Sequence, residues 1–301
     1  MRFLGRWFLA LSLTTLWMPG TVMAEPAGQR RGMADGPPAV GSEHELGVFR
    51  TVCRYSHSRR DDPIVSPLRF GASHLHDFFG NVTTAADSTA ESLLASDTSC
   101  VTAEDRSAYW VPALSRDGEP VTPTSITVYY RGTLQDGDRI ASFPAGFRMI
   151  AGDASATGAP SREVVAWSCR QANGPSSFGG SPPTCPSDSA LNLHIRFPSC
   201  WDGTNIDSAD HKSHMAYDER GRCPASHATH VPRVAMIVHY PITGEPGQIS
   251  LSSGAVHTAH ADFFNAWQPD FLASKVDACL NQETFCGTLL TAGRRGAARA
   301  R

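Results

Sequence analysis

In the stretch Ser125-Ile-Thr-Val-Tyr-Tyr-Arg131, apolar and more polar side chains alternate, and β-branched and aromatic residues are frequent. This is the pattern of a β-strand. Residues 163–167, 191–197 and 234–240 show the same pattern, and Gly, Pro and Ser are frequent between them. Widely spaced strands with long loops are typical of antiparallel all-β bodies. The chain therefore predicts a mostly β fold, an antiparallel β-sandwich or jelly-roll-like single domain with a few short helices, stapled by disulfides.

The same patterns predict local details. In residues 191–197, His194 and Arg196 fall on one face of the strand, and the apolar side chains fall on the other. Short helices are expected at 84–95 and 270–281.

The N-terminus predicts export. Arg2 and Arg6 precede an apolar run, and Val22-Met23-Ala24 supplies small residues where a signal peptidase cleaves. An uncleaved anchor is the alternative, but the run is shorter than the roughly 20 apolar residues that span a bilayer. We expect a signal peptide at 1–24, no integral membrane segment after cleavage, and a secreted or periplasmic location.

The rest of the chain divides into one domain and two ends. Residues 25–46 contain few large apolar residues and are predicted to be a disordered linker, and residues 289–301 form a basic tail. No boundary interrupts residues 47–288, so we expect a single domain and a monomer. The net charge is −3 with both signs mixed, so neither nucleic acid nor an anionic membrane is a predicted partner.

The cysteines agree with export. The chain has eight, an even number, and all of them follow the predicted signal peptide. A zinc-thiolate site is the alternative, but no pair has the usual C-x2-C spacing. Eight cysteines allow about 105 pairings, and the sequence alone does not assign them. Proximity along the chain favours Cys53–Cys100, Cys169–Cys185, Cys200–Cys223 and Cys279–Cys286.

Histidine and acidic residues concentrate in a few segments. In a strand, the pair in His74-Leu-His76-Asp77 would present two imidazoles to one side, as metal sites require. An Asp-rich segment at 197–217 and the segment 257–262 add further donors. The resulting candidate metal ligands are His74, His76, Asp202, Asp210, His211, His214 and His260.

Each of these segments has a simpler alternative. An H-x-H pair arises by chance, and turn-forming Asp residues explain the 197–217 segment nearly as well as a Ca²⁺ site does. A His beside an Asp is also the usual general acid/base pair without any metal. Mixed nitrogen and oxygen donors nevertheless suit Zn²⁺ or another first-row divalent ion, so the predicted cofactor is a divalent metal, Zn²⁺ or Ca²⁺.

A short internal similarity links two of the segments. His76-Asp-Phe-Phe-Gly-Asn81 and His260-Ala-Asp-Phe-Phe-Asn265 each place an acid and paired Phe residues just after a His. Chance explains a match this short, but a fold that joins the two would create a site with two similar halves.

Other chemistries lack their motifs. The chain contains no G-x-S-x-G elbow, P-loop, dinucleotide fingerprint or H-E-x-x-H. Trp110, Trp201 and Trp267 lie in or beside the polar segments, where Trp rings can stack on sugars, although a Trp is more often part of the core. With Arg148 they are the candidate substrate-binding residues.

Several blocks resemble the family called domain of unknown function 1996 (DUF1996). They occur in the family's order and span about residues 50–270. The most specific are Phe197-Pro-Ser-Cys-Trp-Asp-Gly203 and Asp210-His-Lys-Ser-His214, and others are Asp62-Pro-Ile-Val-Ser-Pro67, Ser73-His-Leu-His-Asp-Phe-Phe-Gly80 and His260-Ala-Asp-Phe-Phe-Asn-Ala-Trp267. The resemblance implies a secreted protein in a polysaccharide or cell-wall context.

The leading hypothesis is an exported, metal-assisted enzyme that acts on a polysaccharide or cell-envelope glycan. Its predicted catalytic residues are His76, Asp77, His214 and Asp262. The alternatives are a non-catalytic protein that binds a glycan or a metal, and a structural envelope protein in which the His and Asp residues brace loops.

Overall fold

The structure is a computed structural model that describes residues 47–132, 139–159, 161, 163–169, 176–178 and 181–289. The predicted signal peptide and linker, and the basic tail beyond residue 289, lie outside these residues. The strands, numbered in chain order, are β1 (Val48–Arg59), β2 (His76–Gly80), β3 (Ala108–Pro112), β4 (Leu114–Arg116), β5 (Glu119–Val121), β6 (Ser125–Arg131), β7 (Arg148–Gly152), β8 (Val165–Cys169), β9 (Ser176–Phe178), β10 (Leu191–Arg196), β11 (Cys200–Trp201), β12 (Met215–Ala216), β13 (Thr229–His230), β14 (Arg233–His239), β15 (Ile249–Leu251), β16 (His260–Phe264) and β17 (Phe285–Thr288).

Eleven of these strands form one sheet in the described part of the chain. Its order is β7-β16-β3-β2-β1-β6-β14-β10-β8-β9, every pair along this path is antiparallel, and β17 pairs in parallel with β1. Two three-stranded sheets, β12-β11-β13 and β15-β4-β5, lie beside it. The prediction of a mostly β, antiparallel fold is confirmed.

The large sheet curls so that its two halves enclose one core. Tyr130 on β6 and Phe263 on β16 have three strands between them in the sheet order, yet their ring centroids lie 6.5 Å apart. Three intervening strands would separate them by roughly 19 Å in a flat sheet. Phe49 meets Trp267 in the same core, with centroids 6.2 Å apart. Aromatic contacts between the halves therefore hold the body in a sandwich-like arrangement.

The alternation read from the sequence agrees with the observed burial. β6 has the bounds that its pattern predicts. In β10, Leu193 and Ile195 are buried, whereas His194 and Arg196 are partly exposed. The apolar face of this strand packs into the core.

The first helix is shorter than predicted, whereas the second agrees with its predicted range. α1 (Ala90–Ala95) begins only after Thr89, whose hydroxyl accepts from the backbone N–H of Ser92 in a capping box. α2 (Pro269–Lys275) starts with Pro in its first turn and continues as a π-helical turn at Val276–Asn281. The residues predicted to form the start of the first helix instead form turns, because the capping residue sets the helix start.

All four predicted disulfides are confirmed. They join Cys53 to Cys100, Cys169 to Cys185, Cys200 to Cys223 and Cys279 to Cys286. Such pairing fits an oxidising, extracytoplasmic environment. Among the described residues, no helix has the length and apolar character needed to cross a membrane.

A smaller apolar cluster lies on the opposite face of the β2-β3-β16 segment from the main core. Phe78, Trp110 and Phe264 project from these strands, and Ile64 and Leu93 pack against them from the preceding loop and from α1. The loop before β2 that covers this face with Ile64 also carries Asp62 and His74.

Candidate metal centre

Two histidines from different strands project side by side next to this small cluster. His76 begins β2 and His260 begins β16, and both strands pair with β3 between them. The register pairs His76 with Pro112 and Asp262 with Trp110, which sets His260 opposite Pro112 as well. Because both histidines share one row of the sheet, they lie on the same face, with ring centroids 5.8 Å apart.

His74 completes a group of three imidazoles. It precedes β2, and its ring centroid lies 4.2 Å from that of His76. Its Nε2 lies 3.2 Å from Nε2 of His260. One nitrogen of each of the three rings lies within 4.8 Å of the others.

Two carboxylates join the group through His76. Asp262 lies two residues after His260 and therefore on the same face of β16, and Asp62 comes from the loop that covers this face. Ligand atoms of Asp62, His76 and Asp262 lie within 4.8 Å of one another. We call the five side chains the His/Asp centre: Asp62, His74, His76, His260 and Asp262.

Backbone carbonyls fix the orientation of two of the rings. His76 Nδ1 lies 3.1 Å from the carbonyl oxygen of Asp61, and His260 Nδ1 lies 2.8 Å from that of Thr258. A carbonyl only accepts, so each Nδ1 carries the proton and donates it. The lone pair of each ring is therefore on Nε2, the arrangement that metal-binding histidines adopt when a carbonyl holds the other nitrogen.

Two acceptor atoms of the centre are buried without a hydrogen-bond partner among the described residues. They are His76 Nε2 and Asp262 Oδ2. Asp62 differs, because its Oδ1 accepts from the backbone N–H groups of Ile64 and Val65 at 2.8 and 2.9 Å. These turn bonds fix the Asp62 carboxylate against the centre.

Burial dominates the electrostatics of the centre. Loss of water lowers the pKa of His260 to about 4, and it lowers the pKa of His76 well below its usual value, with the charges of His74 and His260 adding to the effect. Burial also raises the pKa of Asp262 well above its usual value, and the neighbouring charge of Asp62 adds to this. The imidazoles are thus neutral, and burial disfavours the charged form of Asp262 unless a cation lies beside it.

The centre approaches solvent at His74. The other four side chains are buried, whereas His74 is partly exposed. Two cations flank this side. The charge of Arg60 contributes to the lowered pKa of His74, after burial, and Lys212 donates to the carbonyl oxygen of Gly152 at 2.9 Å, beside His260.

Asp77 lies on the other face of the sheet from the centre. As the residue after His76 in β2, it points the opposite way, and its Oδ1 accepts from Ser58 Oγ at 2.5 Å. Burial raises the pKa of Asp77 to about 6. The structure does not bring this predicted catalytic residue to the others.

His214 lies apart from the centre, with both ring nitrogens in use. Its Nε2 donates to the carbonyl oxygen of Arg148 at 2.7 Å, and its Nδ1 is hydrogen-bonded to Ser208 Oγ at 2.9 Å. The ring is buried against Phe147, with centroids 5.4 Å apart. These contacts attach the Asp-rich loop to β7.

The remaining predicted ligands organise that loop. Asp202 accepts from the backbone N–H groups of Thr204 and Asn205, and Asp210 accepts from those of Lys212 and Ser213. His211 Nδ1 lies 2.9 Å from Asp207 Oδ1. None of the three belongs to the His/Asp centre, although burial raises the pKa of Asp62 and the charge of His211 weakly opposes that rise.

The predicted sugar-binding residues are mostly inaccessible. Trp110 and Trp267 are fully buried in the two apolar clusters. Trp201 is partly buried and donates from Nε1 to the carbonyl oxygen of Asn205 at 2.6 Å. The Arg148 guanidinium lies 4.4 Å from the centroid of the Phe264 ring. Trp110 and Trp267 are therefore core residues and are not accessible to a sugar.

Asp62 is the member of the centre that sequence reasoning missed. It opens the block Asp62-Pro-Ile-Val-Ser-Pro67, which has no His nearby. Its position in a recognised block was the available signal. The similarity between the two His-Phe-Phe segments was a better guide, because the structure does bring His76 and His260 together in one site.

Comparison with known proteins identifies one family. The family model described as Domain of unknown function (DUF1996) matches residues 62–267, a range that contains all five residues of the His/Asp centre. No curated protein and no solved structure matches the chain.

Proposed function

The chain belongs to the DUF1996 family, and we propose that it binds one divalent metal ion at the His/Asp centre. The observation that carries this proposal is the pair of buried acceptors, His76 Nε2 and Asp262 Oδ2, without hydrogen-bond partners among the described residues. Each unpaired buried acceptor costs about 1–3 kcal/mol, and two unprotonated acceptors cannot satisfy each other. A cation between them satisfies both at once.

The spacing of the imidazoles supports the same conclusion. Zinc–nitrogen bonds of about 2.0–2.1 Å place adjacent ligand atoms of one ion roughly 3.0–3.4 Å apart. Nε2 of His74 and Nε2 of His260 lie 3.2 Å apart. These two atoms can therefore occupy neighbouring positions around one ion.

The donor set favours a first-row divalent metal over Ca²⁺. Calcium takes oxygen ligands almost exclusively, whereas three imidazoles with two carboxylates suit Zn²⁺, Fe²⁺ or Mn²⁺. The proposed ion is Zn²⁺ or a close relative, with the imidazoles as its nitrogen ligands.

A second proposal is metal-assisted hydrolysis of a polysaccharide or cell-envelope glycan. Catalytic zinc sites keep one position open, whereas structural sites are closed by protein ligands. The partial exposure of His74 supports access from solvent on one side of the centre. A metal held there would lower the pKa of a bound water and so supply a nucleophile. The family context supports the glycan as substrate.

Metal titration of the purified protein tests the first proposal. After chelator treatment, wild-type protein is expected to bind about one Zn²⁺ per chain. Asp262→Asn keeps the shape of the side chain but removes its charge, and it is expected to weaken binding by at least about 100-fold. The matched control is Asp77→Asn, a buried acid on the opposite face of β2, which β3 separates from β16, and this variant is expected to bind Zn²⁺ like wild type.

The outcomes separate the two proposals. Failure of wild-type protein to bind Zn²⁺, Fe²⁺ or Mn²⁺ refutes the metal site. If metal binds, the loaded protein is assayed for new reducing ends on a panel of polysaccharides. Products that disappear with Asp262→Asn support hydrolysis. Tight binding without any product limits the function to metal binding.

A further inference from the structure

An exposed apolar group occupies the loop between Asp62 and His74. Val65, Leu68 and Phe70 are 55%, 74% and 61% exposed. They are three of the six large apolar side chains that are exposed among the described residues, and they lie within six positions of one another. Exposed apolar groups in such a cluster mark interaction surfaces.

Hydrogen bonds hold this loop in its exposed conformation. Leu68 has a positive φ of 62°, which is uncommon for a residue other than Gly, and its N–H donates to the carbonyl oxygen of Ala86 at 2.8 Å. The N–H of Gly71 donates to Asp61 Oδ1 at 2.8 Å, and Ile64 is fully buried beneath. The apolar side chains are thus presented by a fixed backbone.

All exposed charged side chains between residues 56 and 73 are positive. Outside this range, the exposed Asp87 follows Ala86, whose carbonyl accepts from Leu68, and within it Arg59 lies 4.0 Å from the buried Asp61. Arg59, Arg60 and Arg69 are exposed. The only acids between residues 56 and 73 are Asp61 and Asp62, and both are buried and accept backbone N–H groups of the loop. The net charge of −3 over the whole chain does not reveal this local group of arginines.

We propose that residues 59–72 dock on an anionic phospholipid surface, with Val65, Leu68 and Phe70 inserted among the headgroups. The three arginines contact lipid phosphates. Apolar side chains that enter the boundary of the acyl chains, ringed by basic side chains, are the combination that binds proteins to such surfaces. Asp62 of the His/Asp centre lies in the same segment, but the six side chains proposed to touch lipid are not members of the centre, and docking does not require a bound metal.

Charge complementarity favours lipid over a second copy of the chain. A symmetric dimer through this loop would set three arginines against three arginines, without an exposed carboxylate on the loop to pair with them. An anionic bilayer offers phosphates for the arginines and an apolar interior for the three apolar side chains. Docking would also bring the partly exposed His74 close to the membrane.

Vesicle co-sedimentation tests the proposal. The purified protein is mixed with vesicles of equal parts phosphatidylglycerol and phosphatidylcholine, or of phosphatidylcholine alone. We expect binding to the anionic vesicles that weakens with added salt. Leu68→Ser/Phe70→Ser is expected to weaken it by at least about 100-fold, and replacing the three arginines by Gln by a similar factor.

The control is Val82→Ser/Phe285→Ser, which removes two apolar side chains that are each 41% exposed but lie outside the loop. It is expected to bind vesicles like wild type. Thermal unfolding and Zn²⁺ binding are measured on every variant, so a misfolded protein or a missing metal site is recognised separately.

Several results overturn the proposal. They are no binding to anionic vesicles, equal binding to neutral vesicles, and equal loss of binding in the control variant. Two further results would identify a different occupant. One is dimerisation that Leu68→Ser/Phe70→Ser abolishes, and the other is binding to insoluble polysaccharide that the same variant abolishes.

Discussion

The His/Asp centre and the loop at residues 202–214 are alike in composition and different in construction. Both contain several His and Asp residues, and both include histidines close in sequence. In the centre, His76 Nε2 and Asp262 Oδ2 have no hydrogen-bond partner among the described residues. In the loop, Asp202 accepts from backbone N–H groups, and His214 is bonded at both nitrogens.

The difference shows what separates a ligand site from a loop brace. The loop side chains supply the hydrogen bonds that its own turns need, so their polar atoms are already used. The strands of the centre satisfy their backbone through the sheet, and their side chains converge with acceptors left over. The number of His and Asp residues in a segment does not distinguish these cases, whereas the convergence of unpartnered polar atoms from different elements does. Asp77 Oδ2 is also buried without a partner among the described residues, but Asp77 belongs to no such group.

The largest expected effect is stabilisation of the protein by metal. At a Zn²⁺ concentration about 1,000 times the dissociation constant, the free energy of unfolding of wild type should rise by about 4 kcal/mol. At the same Zn²⁺ concentration, the rise for Asp262→Asn should be no more than about 1.4 kcal/mol, because its binding is at least about 100-fold weaker, and Asp202→Ala in the loop should respond like wild type. Chemical denaturation with and without Zn²⁺ measures both. If Zn²⁺ stabilised Asp262→Asn but not Asp202→Ala, the metal would bind in the loop and not at the His/Asp centre.

His214→Ala should destabilise the protein without affecting the metal. The substitution removes a buried ring and two hydrogen bonds, so the free energy of unfolding should fall by about 2–3 kcal/mol. Zn²⁺ stoichiometry should remain about one per chain. A stable variant that no longer binds Zn²⁺ would contradict a purely structural role for His214.

Asp105 is as deeply buried as Asp262, but both of its carboxylate oxygens have hydrogen-bond partners. Oδ1 accepts from the backbone N–H of Ser107, and Oδ2 accepts from the hydroxyl of Tyr109. Burial raises the pKa of Asp105 to about 7, although these hydrogen bonds oppose the rise. In the unfolded chain the pKa of an Asp is about 3.9.

This difference in pKa makes stability depend on pH in a defined direction. Between the two values the folded state holds the proton and the unfolded state does not, so stability falls as pH rises from about 4 to about 7. Relative to Asp105→Asn, wild type should lose about 2 kcal/mol of unfolding free energy between about pH 5 and pH 7. Denaturation of both proteins across this range measures the difference. A constant difference would contradict a raised pKa.

The smallest effect is expected at the turn of the loop. Asp202→Ala removes acceptors for the N–H groups of Thr204 and Asn205, which water can replace at this partly exposed position. The unfolding free energy should fall by less than about 1 kcal/mol. A loss of several kcal/mol would mean that Asp202 has a larger role than forming this turn.

Much of the fold could be predicted because it depends on local patterns. The alternation at 125–131 gave the bounds of β6, and Cys proximity gave all four disulfides. The start of α1 was misjudged by several residues, because a capping residue at Thr89 decides it. Sheet order could not be predicted, since pairs such as β16 with β7 join segments far apart in the chain.

The site was only partly predictable for the same reason. Side chains two apart in a strand share a face, so the spacing from His260 to Asp262 already indicated a common site. The same rule excludes Asp77, which directly follows His76. Nothing local indicated that Asp62 would join them, because its contribution depends on how the loop folds over β2 and β16.

The sequence by itself determined the β-rich class, the presence of disulfides, the family and the histidines worth testing, because each depends on residue type and short spacing. Only the tertiary structure decided which His and Asp residues meet. The pairing of β2 and β16 with β3 brings together residues almost 190 positions apart, and burial there removes the water that would otherwise satisfy them. That combination of convergence and lost hydration separates the His/Asp centre from a loop of the same composition.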